Sequence, residues 1–409
     1  MRQRVLAALA IVSLWAMGCA GRPSSGRFSP PGRPQSASAA VHAPSPALLL
    51  TAKTLFSLPR PSDLSAGFIQ AVEVDPQLSY YQDRTPESIA EELRLHDIRD
   101  VRYVLTADSN VAPRLLQALQ ERHIRVWYAT FMNGVYPAGK KDLPPGWQDW
   151  RMVRRAELQG GKPPDFTYLC LNDPDYRAWK KRQIGRMLRR YPFAGVDLIE
   201  PYWPDTPGPE SDNYGCFCPH CAAAFHMMFP EETALPDTLH AGSPRSPSNA
   251  PALWRKWLQF RRATVTGFLD DLVNGPGGIR ATAPKAKICI WTLALQAADG
   301  VRRVREDNGQ DAAEIARVVR PDVYCFETHW PDWSQPDLPP DYVLRYKPFL
   351  DQVQAVAPGM PVLMQADTGS DPHSRRSEAW IRAFEAASRR LGAAGIVLYE
   401  YSIGAHISF

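Results

Sequence analysis

The sequence predicts a (β/α)8 barrel, on three observations. From Ala66 onward, apolar runs of strand length alternate with amphipathic runs of helix length, the pattern of a parallel sheet with helical crossovers. Eight such strands fit before Phe409. Acids recur at the strands' C-terminal ends, the face on which this fold carries its chemistry. A chain of 409 residues is long enough to bury one core of that size.

Taken in order, strand one is Phe68 to Val74, carrying Glu73 and followed by Asp75. Helix one starts at Thr85-Pro86-Glu87-Ser88, a capping residue with proline at the first helical position. Strand two is Val101 to Thr106, followed by Asp108, and helix two is Ala112 to Arg122. Strand three is Arg125 to Phe131, and a long proline- and glycine-bearing loop runs from Gly134 to Cys170. Helix three is Asp173 to Arg190, and strand four is Val196 to Glu200. A cysteine loop follows, then helical Ala222 to Met228, a Pro/Ser-rich insertion from Pro230 to Pro251, and a long helix from Leu253 to Val273. Strand five is Lys287 to Leu293, helix five Asp311 to Val319, strand six Val323 to Glu327 and helix six Tyr342 to Val356. Strand seven is Val362 to Gln365 with Asp367 beyond it, helix seven Ser377 to Leu391 and strand eight Gly395 to Tyr401. The eighth helix is expected to be short or missing.

The N-terminus reads as an export signal over residues 1–18. A basic Met1-Arg2-Gln3-Arg4 precedes an apolar stretch, Val5 to Met17, too short to span a bilayer. Ala16-Met17-Gly18-Cys19 resembles a bacterial lipobox, with Cys19 as the lipidated residue; ordinary secretion with cleavage elsewhere is the other reading. Ala20 follows rather than aspartate, so a Gram-negative cell is expected to carry the protein in its envelope at the outer membrane. Residues 19–62 are rich in Pro, Ser, Ala and Gly with no period, a composition that cannot bury enough apolar surface to order itself; they read as a tether. Residues 63–409 form the barrel. The net charge of +4 is small and scattered, so nucleic acid is not an expected partner.

Seven cysteines divide by position. Cys19 goes to the lipid, and Cys289 and Cys325 sit in strand runs as core thiols. Cys170, Cys216, Cys218 and Cys221 remain. Three thiols this close in sequence cannot all pair with one another, whereas a zinc ion takes four such ligands. Disulfides stay open for an exported chain, but Cys216–Cys218 is too short for an easy bridge and Cys218–Cys221 strands a thiol. A closed thiolate set leaves no position for water, so the expected zinc is structural.

The strand-end acids are Glu73, Asp75, Asp108, Glu200, Glu327, Asp367 and Glu400. They recur beside Trp203, Trp330 and Tyr399, a combination that suits a carbohydrate cleft, where aromatic faces stack on sugar rings. Strand alternation puts Asp197 opposite Glu200 unless a bulge intervenes, which makes Asp197 a support or sugar-contacting residue.

At this point the chain resembles the family 42 glycoside hydrolases, β-galactosidases of clan A. Cys170-Leu171-Asn172-Asp173-Pro174-Asp175-Tyr176-Arg177 resembles the stretch before that family's strand four. Ile199-Glu200 resembles its Asn-Glu, with the acid/base in second place. Cys216, Cys218, Cys221 and Ala224-Phe225 resemble its zinc loop. Glu327-Thr328-His329-Trp330-Pro331 and Tyr399-Glu400-Tyr401-Ser402 resemble its strand-six and strand-eight ends. Two positions depart: Ile199 replaces the asparagine, and Gln365 stands in the Leu-Met-Glu context of the family's nucleophile. The resemblance implies a carbohydrate substrate, Glu200 as acid/base, and a second carboxylate among Asp367, Glu327 and Glu400. Asp197, Trp203, His329, Trp330, Tyr399 and Glu400 are then expected to contact sugar. The expected protein is a lipid-anchored, exported glycoside hydrolase of an oligo- or polysaccharide. A barrel that has lost catalysis at Gln365 and only binds carbohydrate is the alternative.

Overall fold

The computed structural model describes residues 67–163, 166–204, 208–369 and 375–401. The export signal, Cys19, the tether and residues 402–409 lie outside the described residues.

Eight parallel strands close the barrel: β1 Ile69–Val74, β2 Asp100–Leu105, β3 Arg125–Phe131, β4 Gly195–Ile199, β5 Lys287–Ala294, β6 Val323–Thr328, β7 Val362–Asp367 and β8 Gly395–Tyr399. Their spatial order is the chain order, with β8 paired to β1. The strands are almost wholly buried, as befits a parallel sheet covered by helices outside and filled by side chains inside. Among the described residues, the α-helices of eight or more residues are α1 Pro86–Leu95, α2 Pro113–Glu121, α3 Pro174–Arg190, α4 Pro219–Met228, α5 Pro251–Val273, α6 Gly300–Asp307, α7 Ala312–Val319, α8 Lys347–Val356 and α9 Glu378–Leu391. Several start where the sequence carries a cap. Thr85 accepts from the Ser88 N–H, and Asp173 from the N–H groups of Asp175 and Tyr176, which satisfies amides that helix geometry leaves unpaired.

Three differences from the expected elements bear on the site. β7 runs on to Asp367, so that acid is a strand residue rather than a loop residue. The segment Gly300–Asp307 is helical, although its run of arginines and acids carries little apolar signal. The loop after β3 is built rather than open: Gly134–Val135 pairs antiparallel with Thr167–Tyr168, and Arg151 bridges Leu169.

The barrel interior is apolar low down, with Ala71, Ala129, Cys289, Cys325, Leu363 and Val397 in one cluster. Level with Ala129 and Cys289 sits a buried ion pair. Arg102 reaches Asp197 at 3.0 and 3.1 Å, lies over the Trp127 ring at 4.3 Å, and the Trp291 indole donates to Asp197 at 2.8 Å. Breaking such a pair from one side typically costs about 3–5 kcal/mol, because the other charge is left buried and alone.

Candidate active site

Glu200 follows the last residue of β4 and has φ +55°. A non-glycine residue in the left-handed region costs about 1–3 kcal/mol and persists only where its surroundings hold it. Here the holder is Asn133. Its amide donates to the Tyr202 carbonyl at 2.9 Å, and its oxygen accepts the Tyr202 N–H at 3.2 Å. The sharp turn reverses the strand's alternation. Asp197 points into the barrel as β4 dictates, yet Glu200, three residues on, also enters the mouth. Its Oε2 accepts from the Tyr202 hydroxyl at 3.1 Å. A Cβ added at Gly134 would lie 2.8 Å from the Phe166 ring and in ordinary contact, 3.7 Å, with that oxygen, so the small residue there leaves the Phe166 ring its space.

Three more carboxyls stand on inward positions of their strands: Glu327, which feels the Glu200 charge, and Glu73 and Asp367, which act on Glu327. Burial pushes Glu200 up to about 7, with the Tyr202 hydrogen bond pulling the other way. Glu327 on β6 is pushed well above the ordinary range, first by burial and then by the charges of Glu200, Glu73 and Asp367. Glu73 on β1 is pushed well up by burial and by Asp197 and Asp367, against a hydrogen bond from Gln365 and the Arg102 charge. Asp367 closes the group from β7 and accepts the Gly369 N–H at 3.0 Å. Glu400 is buried beyond them, its charge acting on Tyr399 and Tyr81.

One wall of the mouth is aromatic. Phe131, Tyr136, Phe166, Tyr168 and Tyr202 form a run of half-buried rings with successive centroids 4.9, 4.9, 5.0 and 6.2 Å apart. Glu200 and Glu327 both act on the Tyr136 hydroxyl, which places that ring beside the two carboxyls. Half-buried rings beside carboxyl acceptors provide the two kinds of contact a sugar ring uses, an apolar face and hydrogen-bonding hydroxyls. Sequence reasoning missed Tyr136, Phe166 and Tyr168 because they stand in the long loop after β3, which has no period.

Two expected sugar contacts are corrected. Trp203 is fully buried, enclosed by Trp257, Phe260 and the Arg261 guanidinium, and its indole donates to the Arg261 carbonyl at 3.0 Å; it has no face to offer a sugar. Asp197 is fully buried in the ion pair beneath the mouth and supports rather than contacts. His329 is 6% exposed, with Nδ1 accepting the Trp330 N–H at 2.9 Å. Trp330, 44% exposed, and the half-buried Tyr399 remain at the surface of the mouth. Asp108 is turned away toward α3 by hydrogen bonds from Tyr128 and Gln183. Gln365 is engaged too: its Oε1 accepts the Thr328 N–H at 3.0 Å while its amide serves Glu73.

Cys170, Cys216, Cys218 and Cys221 come together behind the Glu200 turn, all buried. Their sulfurs all lie within 4.8 Å of one another, with 3.4 Å between Cys170 and Cys218. Disulfide sulfurs sit at ~2.0 Å, whereas this spread suits four sulfurs around one tetrahedral ion at ~2.3 Å. N–H groups of Asn172, Val153 and Cys221 point at Cys170, Cys216 and Cys218 at 3.3 to 3.4 Å, and the Asn172 amide at Cys221. Four buried sulfurs that each receive an N–H are a donor set for thiolates holding a metal.

No family model and no curated protein matches the chain. Solved structures do. The glycoside hydrolase domain of PgaB (BpsB) from Bordetella bronchiseptica superposes with a TM-score of 0.60 at 13% identity, over 83% of this chain and 95% of that one. The cold-adapted β-galactosidase of Rahnella sp. R3 gives 0.57 at 15% identity, over 83% of this chain. The catalytic domain of a Paenibacillus polymyxa β-amylase gives 0.52 at 12%, over 82% of this chain and 93% of that one. This chain spans about half the length of the β-galactosidase, 51%. The shared feature is the barrel fold, and these neighbours are glycoside hydrolases or their domains.

Proposed function

We propose that this chain hydrolyses glycosidic bonds of an oligo- or polysaccharide, as a distant relative of the family 42 enzymes. The observation that carries this reading is Glu200: a carboxyl on strained backbone at the end of β4, raised to about 7 by burial, facing further carboxyls across an aromatic-walled mouth. Glycoside hydrolysis needs one protonated and one ionised carboxyl, and pairs whose surroundings push their titrations apart mark the two roles. Glu200 is the acid/base. Asp367, on the inward face of β7, is its partner carboxyl. Glu327 feels the charge of both and is the neutral carboxyl between them.

The cysteine cluster holds one zinc ion in this reading. Its work is structural, tying Cys170 before α3 to the loop after β4 behind Glu200. The chain is exported, and a lipid on Cys19 holds it to the cell envelope; Cys19→Ala should move it from the membrane to the soluble fraction, and a wild type already soluble in cells counts against the anchor. The test of function is hydrolysis across a panel of glycans, with Glu200→Gln. That change keeps shape and removes the proton, and should cut turnover by roughly 10²-fold or more on poor leaving groups, less on activated aryl glycosides. Full turnover by the variant would remove Glu200 from the mechanism. Gln365, committed to Thr328 and Glu73, favours a second reading: a barrel that binds glycan without cleaving it. Binding without hydrolysis across the panel would establish that one.

A further inference from the structure

Twelve tryptophans are more than this core uses, and two of them, remote from the carboxyls, line an open groove. Trp150 and Trp179 are half-buried, with ring centroids 5.9 Å apart and planes at 46°. They border a cavity of about 460 Å³ between the loop after β3 and α3, within the range of ligand pockets. Asp149, Asp175 and Arg182 stand exposed around it. No hydrogen bond or ion pair among the described residues engages these three side chains. His220 completes the rim, 3.2 Å from Asp173.

One backbone ladder carries residues of both the groove and the mouth. The Tyr168 ring lies beside Tyr202, which donates to Glu200. Tyr168 stands on a short antiparallel pair in which Met152 donates to the Tyr168 carbonyl at 2.8 Å and Cys170 to the Trp150 carbonyl at 2.7 Å. Trp150 is therefore two rungs from Tyr168, about 7–8 Å away in such a ladder. Ring contacts run from Tyr202 to Tyr168 on the mouth side and from Trp150 to Trp179 on the groove side, and the ladder sets the spacing between the two pairs.

We infer that this groove is a distal binding site for the same glycan chain the mouth accepts. The inference rests on the carbohydrate reading of the mouth but not on hydrolysis. The occupant follows from the chemistry. Indole faces suit the apolar faces of sugar rings, and a carboxylate and a planar guanidinium take paired hydroxyls in bidentate fashion. The cysteine cluster is the one His/Cys/Asp/Glu group among the described residues close enough to hold a metal, so the groove's acids do not form a cation cage.

The test uses the full chain carrying Glu200→Gln, so that bound glycan is not consumed. Retardation is measured in native gels containing galactan, chitosan or pectin, together with binding of trisaccharides from whichever polymer retards the protein. Trp150→Ala and Trp179→Ala should weaken binding to the polymer about tenfold, the scale of one ring contact, and leave trisaccharide binding unchanged. Arg182→Ala, exposed and harmless to folding, should weaken polymer binding in the same direction. In the Glu200 background, the same three changes should leave turnover of a short aryl glycoside within twofold. Wild-type retardation in all three variants overturns the distal site while leaving hydrolysis intact. Polymer binding through the groove without hydrolysis by the wild type removes the enzyme reading and keeps the site. Retardation by no polymer overturns the distal site, as does a groove that captures peptides in preference to glycans.

Discussion

Glu200 holds a proton at a pH where a solvated glutamate has long lost it, and its partner decides how activity follows pH. If Asp367 is the ionised carboxylate, catalysis needs Glu200 protonated, and kcat/KM should fall about tenfold per pH unit above about 7. If Glu327 were the partner, the first proton would have to leave the crowded pair before either could act, and activity would instead rise through 7. A pH profile with an activated and a non-activated substrate separates the two. The falling limb should vanish in Glu200→Gln with the activated substrate; a rising limb would make Glu200 the ionised member of the pair and Glu327 the acid. How much of this was legible differs residue by residue. The strand-end acids were readable because apolar runs end abruptly at them. Trp203 misled because its burial depends on α5, a helix whose packing partner no local pattern names. Glu73 was visible as an acid, but its closeness to Asp367 arises only when β8 brings β7 and β1 together.

At the scale of elements, the cysteine loop and the turn at Glu200 are one construction. Residues 216–221 follow β4 and end in α4, while Cys170 sits at the far end of the loop that carries Tyr136 and Tyr168. Arg261 from α5 reinforces the joint: it bonds the Gly215 and Asp307 carbonyls and lies between Trp203 and Tyr214 at 4.7 and 4.4 Å. A metal held by the four cysteines would fix the aromatic wall relative to the carboxyls without touching substrate. Purified protein should contain one zinc per chain. A strong chelator should lower Tm and weaken substrate binding together, and Cys218→Ser should do likewise, since a closed site contributes folding energy. Metal-free protein with unchanged Tm would end the assignment. The spacing of Cys216, Cys218 and Cys221 made this element readable, because ligand spacing is local. The built loop between β3 and α3 was not, because its pairing of Gly134–Val135 with Thr167–Tyr168 spans more than thirty residues and each strand is too short to show a period.

For the whole molecule, a mouth full of buried acids sets how stability follows pH. Glu73, Glu200 and Glu327 have folded values raised above 4.5, and Asp75 is raised from 3.8 to about 6, in each case first by burial. Above the unfolded values, the unfolded chain has lost these protons while the folded chain keeps them. The folded state therefore binds more protons, and unfolding free energy falls as pH rises. The stabilisation is complete below about 4 and is lost through about 6 for Asp75, about 7 for Glu200 and higher for Glu73 and Glu327. Surface carboxylates with lowered values, such as Asp237 at about 2 beside Leu239 and His240 amides, act oppositely, but their contribution is already in place by pH 5. The net expectation is a stability maximum in mild acid and a decline across neutrality, of which Glu200 accounts for at most about 3 kcal/mol. At roughly 2–4 °C per kcal/mol, Tm should drop by several degrees between pH 5.5 and 8. Glu200→Gln has no proton to lose there, so its Tm should fall less and exceed the wild type's at pH 8, even as its turnover collapses. Calorimetry of both proteins at the two pH values measures this, and parallel decline in wild type and variant would show that Glu200 ionises in the folded state at its ordinary value, without the burial on which its role as acid depends.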